Sequence, residues 1–266
     1  MAVAALPTVQ HHGPRPRRAE RTVALLDLDP DLGTGLSRER MARAAHELRV
    51  QVVTLPRGQW AGCGGVSPDR YHVGLLVADG VIARETVLED TVSTELLGPG
   101  DFLRPWAAGE GEELLQKRVR WQVLADARLA MLGDSLGAAL PRYPEVNTAL
   151  IDRACVRAQR LATSQAISHL NSVDRRLMAL FWHLAERWGR VTGDGIVVPL
   201  AISHRLLAEL VGARRPTVST ALAALDRQGR LTRREDGTWV LHGEPPGMPA
   251  DRVRRVVAHR RRLIGA

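Results

Sequence analysis

The chain has 266 residues, 45% of them hydrophobic, which is enough for two packed cores and excludes wholesale disorder. It holds no run of about 18 uncharged apolar residues to span a membrane, and only two cysteines, Cys63 and Cys155, too few and too far apart for a disulfide framework or zinc ribbon; a secretory signal is not expected, since the first charges follow a short apolar stretch. The net charge of +8 is uneven: residues 23–172 carry 16 basic and 19 acidic side chains and residues 173–243 carry 11 and 7, so a cytoplasmic protein with a polyanion partner for its last third is expected.

Residues 1–22 are rich in proline, histidine and arginine and are expected to form a disordered basic arm. A short helix over 36–50 gives way to β signals. VQVVTL (50–55) runs into a Pro56–Gly58 turn. YHVGLLV (71–77) and VIARETV (81–87) are predicted to form a hairpin through Ala78-Asp79-Gly80, because Asp-Gly suits turns that need positive φ. STELLGPGDFL (93–103) ends in a glycine-punctuated bend, and VRWQVLADARLAML (119–132) reads as two more short strands. Together these predict an antiparallel β-roll, cupin-like, over residues 23–145.

The pattern then turns helical. PEVNTALIDRACVRAQRLATSQAISHL (144–170) has no glycine, and no proline after Pro144. Ile151, Ala154, Ala158 and Leu161 follow a 3-4-3 spacing and form an apolar seam, while Leu150, Val156 and Ile167 supply a second face. A helix apolar on two sides can cover its own domain and pair with a second copy. Residues 146–172 are therefore expected to be a dimerisation helix and the chain a homodimer; the alternative is a helix that packs only within its own chain.

Residues 173–243 carry the most specific pattern. DRRLMALFWHLAERWG is an amphipathic helix for a second core, and a loop with Gly193 and Gly195 leads to IVVPL. Ser203 can cap a helix whose inward residues are Leu206, Leu207 and Leu210. Ala208 is small where two helices cross, and Gly212 can take the left-handed conformation that a tight turn demands. Pro216 is tolerated only in a first helical turn, which fixes the start of the next helix near Arg214. Val218, Leu222 and Leu225 then face inward, leaving Arg215, Thr217, Ser219 and Thr220 outward. LTRRE and TWVLH, joined by Asp236-Gly237, form a wing, and residues 244–266 a basic tail.

This is a winged helix-turn-helix, and the overall fold class is α+β. An outward helix N-terminus offers free N–H groups and partial positive charge to a phosphate. Arg215 can reach guanine in the major groove, and Ser219 and Thr220 can make shorter contacts to bases or phosphates. Arg214, Thr217, Arg233 and Arg234 are assigned to phosphate, which positions without specifying, and Pro216 belongs to the same DNA-binding turn.

The order of roll, long helix and winged helix-turn-helix resembles the Crp/Fnr family of bacterial transcription regulators. The likeness is carried by LLAELVGARRPTVSTAL, LDRQGRL and DGTWVLHG, and by VGLLVADGVIARE and LLGPGDFL. It implies a homodimer on a pseudo-palindromic duplex and admits RNA polymerase as a protein partner. Pro216 stands where many members carry glutamate, and Thr220 where many carry arginine, so the family's usual half-site does not carry over.

The resemblance also raises cyclic-nucleotide binding. Gly100-Asp101-Phe102-Leu103 matches the family's bend, but RPWAAGEGEELLQKRVRW does not keep the cassette that follows. Arg104 and Arg118 are the phosphate candidates, Glu110 and Glu112 the ribose candidates, and Thr163 and Ser164 the hydroxyls nearest the base. An iron–sulfur cluster needs about four thiolates, haem would rest on a lone His72, and Trp106 and Trp121 are expected to be core as readily as pocket. No cofactor is therefore assigned. An enzyme is not expected either: no nucleophile motif, P-loop or metal-ligand cluster occurs. The second reading is a ligand-binding or protein-interaction module whose helix-turn-helix serves assembly alone.

Overall fold

In the computed structural model, which describes residues 21–62, 72–104 and 114–245, the first half of the chain is built on two long antiparallel strands. The chain divides into two units between Gln159 and Arg160, inside the long helix. The first unit opens with β1 (Arg21–Ala24), α1 (Leu25–Leu28), α2 (Arg38–Glu47), β2 (Arg49–Leu55) and β3 (Gly58–Trp60). Then come β4 (Gly74–Leu88), β5 (Thr91–Leu97), β6 (Phe102–Leu103), β7 (Arg118–Leu132), α3 (Asp134–Ala139) and α4 (Pro144–Ser168).

Strands β4 and β7 pair from Gly74↔Leu132 to Val87↔Arg118, with the register slipping between Val77 and Ile82. On either side of that slip the ribbon has different neighbours. β2 and β6 flank its open end, and β3 and β5 flank the other, as a roll requires. One core lies inside the roll, where Leu75, Ile82, Leu97 and Leu129 pack with Trp60 and Trp121. The other joins Leu76 and Leu132 to α1, α2, α3 and the start of α4 through Leu25, Leu48, Leu136, Val146 and Leu150.

Two sequence expectations are corrected here. Asp79-Gly80 is not a hairpin turn: β4 runs straight through it. Gly80 has φ +84°, and a Cβ on it would lie 2.3 Å from the Asp126 carbonyl oxygen and 2.5 Å from Ala127 Cα of the facing strand. A positive-φ glycine serves a bulge as well as a turn, so the local signal was right and its use was not. Likewise, 119–132 is one strand rather than two. The actual hairpin joins β4 to β5 through Glu89 and Asp90, with Glu89 itself at φ +52°.

The second unit contains α5 (Val173–Trp188), β8 (Arg190–Thr192), β9 (Gly195–Val198), α6 (His204–Val211), α7 (Arg215–Arg227), β10 (Leu231–Arg233) and β11 (Trp239–Leu241). The segment expected as a loop is a β8–β9 hairpin, which extends the wing to a four-stranded sheet ordered β10-β11-β9-β8. Phe181 of α5, fully buried, meets Trp239 of the wing with ring centroids 5.0 Å apart. Val218, Ala221, Leu222 and Leu225 of α7 and Leu206, Leu207, Ala208 and Val211 of α6 are also buried. Leu210 is only half-buried; Val211 takes the inward place expected of it.

Helix α4 buries Val146, Leu150 and Ile167. Val156, expected on the same face, is 46% exposed. Ile151, Ala154, Ala158 and Leu161 are all exposed in the single chain, Ile151 at 55% and Leu161 at 40%. No helix among the described residues is long and apolar enough to cross a membrane.

Candidate nucleic-acid interface

The α6–α7 corner is built as its residue types dictate. Ser203 caps α6 by accepting a hydrogen bond from the Leu206 N–H at 3.2 Å. Gly212 ends the helix at φ 63°, ψ 49°, the left-handed conformation that glycine adopts without a Cβ penalty. The carbonyls left over there are taken up by Arg176 of α5, whose guanidinium donates to the oxygens of Val211 and Gly212 at 3.3 and 3.1 Å and to Leu170 at 2.7 Å. Helix α7 then starts at Arg215 with Pro216 in its first turn, where the missing N–H loses no partner.

Arg214, Arg215, Pro216 and Thr217 are all exposed on that first turn. Four consecutive exposed residues, two of them arginines, sit at a helix N-terminus, where the first-turn N–H groups have no intrahelical acceptor. Thr220 is exposed as well, but its hydroxyl donates back to the Pro216 carbonyl at 3.2 Å, so outward it offers mainly an acceptor. Ser219 is half-buried, with its Oγ 3.0 Å from His204 Nδ1.

The wing arginines differ in setting. Arg233 lies over the Trp239 ring at 5.7 Å, a cation–π contact that aims the side chain without neutralising it. Arg234 lies 3.7 Å from Asp194 on the β8–β9 turn, so part of its charge is already answered. The turn between β10 and β11 is held by Asp236, which accepts from the Thr238 N–H at 2.8 Å and its hydroxyl at 2.6 Å. Those bonds hold the Asp236 carboxyl below the usual aspartate range.

Four of the residues considered for an effector are described. Arg104 follows β6 and Arg118 opens β7, both exposed. Thr163 is exposed and Ser164 half-buried on the part of α4 that falls in the second unit. Glu110, Glu112, Trp106 and Cys63 lie outside the described residues. Trp121 is core, edge-on to Trp60 at 5.4 Å. Among the described residues no group of three His, Cys, Asp or Glu side chains is placed to hold a metal ion.

A charged cluster in the first unit escaped the sequence reading. Arg157 of α4 grips Glu95 of β5 with two bonds of 2.7 and 2.8 Å, and Arg84 of β4 approaches the same carboxylate at 3.9 Å. One turn earlier, Arg153 binds both oxygens of Asp29 at 2.9 and 3.0 Å. Hydrogen bonding to Glu95 holds the Arg157 guanidinium more firmly protonated than usual, whereas burial pushes Arg84 the other way. Arg153 and Arg157 lie four apart on one face of α4, and that spacing is the signal a closer reading could have used.

A β-roll, a long helix and a winged helix-turn-helix with an exposed arginine-bearing turn define the class of protein. Residues 175–243 match the Crp-like helix-turn-helix domain. The chain is 27% identical over 212 residues to the CRP-like cAMP-activated global transcriptional regulator of Mycobacterium tuberculosis, covering 76% of this chain and 88% of that protein. It is 27% identical over 195 residues to the regulatory protein CysR of Synechococcus elongatus, covering 71% and 86%. In fold it is similar to a CooA variant from Carboxydothermus hydrogenoformans, with 16% identity, a TM-score of 0.58, and coverage of 84% and 93%. The chain is thus similar to Crp-like regulators, with the domain match spanning residues 175–243.

Proposed function

We propose that the protein is a sequence-specific DNA-binding transcription regulator that acts as a homodimer on a pseudo-palindromic site. The observation that carries this reading is the α7 N-terminus, where Arg214, Arg215, Pro216 and Thr217 stand exposed beside a wing that carries Arg233. The kinship with transcription regulators rather than enzymes supports it. The exposed seam of Ile151, Ala154, Ala158 and Leu161 supports self-association: large apolar side chains flank two alanines that allow close helix approach. Arg215 reads a base pair; Arg214, Thr217 and Arg233 hold phosphates.

An effector at the roll would act by shifting how α4 pairs and hence how far apart the two α7 helices sit. Cyclic nucleotides and RNA polymerase are the partners to try, since a relative is described as cAMP-activated. If every effector leaves DNA affinity unchanged, the protein is a permanently competent binder controlled by its abundance.

Salt is the test of the DNA reading. Log affinity for a duplex is expected to fall linearly with log salt, at a slope of about −0.9 per phosphate contact. Arg233→Ala should weaken preferred and unrelated duplexes alike and make that slope shallower by about one. Fluorescence anisotropy at several salt concentrations measures both. No binding at low salt to any member of a random duplex pool would instead favour a module whose helix-turn-helix serves assembly.

A further inference from the structure

Beneath the exposed turn of α7 sits one titratable side chain that joins three elements. His204, the first residue of α6, is half-buried. Its Nδ1 lies 3.0 Å from Ser219 Oγ on α7. Its ring lies 6.3 Å from that of Trp239 on β11, the same indole that Arg233 of β10 covers. The charged groups that bear on it from the elements packed around it are Arg233 on the wing and Arg215 on α7. On its own helix, the neighbouring Arg205 is paired with Glu209 at 2.8 Å. His204 thus lies among the arginines assigned here to the duplex and holds the serine next to them.

We propose that His204 is a positioning and specificity-determining residue for duplex recognition, which sets the hydrogen-bonding role of Ser219 and couples DNA binding to uptake of a proton at its imidazole. The inference rests on the DNA-binding reading above and goes beyond it.

The chemistry follows from the inventory of each group. A neutral imidazole can accept the Ser219 hydroxyl proton at Nδ1, which uses up the serine as a donor. A protonated imidazole can only donate at Nδ1, so Ser219 Oγ accepts from it and the hydroxyl proton is released for an outside acceptor. In the free protein, burial and the charges of Arg233 and Arg215 hold His204 below its ordinary range. Phosphates that neutralise those two arginines remove the repulsion and favour the charged ring, so the complex takes up a proton more readily than the free protein does.

The sign is therefore fixed in both states. Because the free folded form resists protonation, stability contributed by His204 is lost as pH falls below the ordinary histidine value. Because the complex favours protonation, affinity for DNA rises over the same interval.

The experiment measures affinity at about pH 6 and about pH 8, at constant salt, for the intact chain on its selected duplex. The duplexes with a changed base pair under Ser219 are measured beside it. The wild type is expected to bind about three- to tenfold tighter at the lower pH. His204→Asn, which keeps a polar atom at the Nδ1 position but cannot titrate there, should lose that difference while still melting cooperatively. Ser219→Ala should relax preference at the affected base pair, and adding His204→Asn to it should relax that preference no further. A pH dependence that survives His204→Asn, runs the other way or is absent from the wild type overturns the inference while leaving DNA binding intact. Failure to bind any duplex overturns the DNA-binding reading and this inference with it.

Discussion

Replacing Ile151 and Leu161 together by aspartate is expected to leave a monomer that folds and binds a two-half-site duplex about 10²–10⁴-fold more weakly than the wild type. Both side chains are exposed in the single chain, so charging them costs little within it. In a dimer the same charges would face one another across a seam that Ala154 and Ala158 keep narrow, where like charges are desolvated and repel. The large factor comes from tethering. Once one α7 helix is seated, the second binds as an intramolecular event, and that advantage disappears with the dimer. Sedimentation equilibrium gives the mass and anisotropy the affinity. A double variant that is still dimeric and binds as before would remove α4 as the pairing element.

Glu95→Ala is expected to destabilise the first unit by about 2–4 kcal/mol, the second of the two large effects. Deleting the carboxylate leaves two partly buried guanidinium groups, Arg84 and Arg157, facing each other without their shared anion. Removing one partner of a buried pair costs about 3–5 kcal/mol. The lower figure applies because the two arginine side chains keep 22% and 21% of their exposure and water can reach them in part. Chemical denaturation monitored at Trp60 and Trp121 reads the change. The triple change Glu95→Leu, Arg84→Leu, Arg157→Leu removes the orphaned charges and should recover much of the loss. If Glu95→Ala alone melts like the wild type, the cluster does not anchor α4.

How much of this the sequence displayed depends on how local each feature is. The Ser203 cap, the Gly212 turn and the Pro216 start of α7 are each fixed by two or three neighbouring residues, and the structure has all three where the sequence places them. Asp79-Gly80 was also a correct local signal, but only the strand lying opposite, at Asp126 and Ala127, turns a candidate hairpin into a bulge. The β8–β9 hairpin hid behind Gly193 and Gly195, because strands of three and four residues show too little alternation to register.

Side-chain partnerships across the fold were less legible. Glu95 and Arg157 are 62 residues apart, and although Arg153 and Arg157 mark one basic face of α4, nothing near Glu95 announces its partner. Ser219 is outward relative to Val218 and Leu222 on its own helix, yet His204, fifteen positions earlier, closes over it. Helical periodicity finds the face that packs most tightly; it does not find the flank that a neighbouring helix shades.

The most direct test concerns the base-reading role of Arg215. Duplexes selected from a random pool give the preferred site, and competition against single-base-pair variants of it gives the margin of preference. At the position under Arg215, Arg215→Ala should shrink that margin by about 1–3 kcal/mol while the other positions keep theirs. The same preferred sequence with the same margin in the variant would contradict the account.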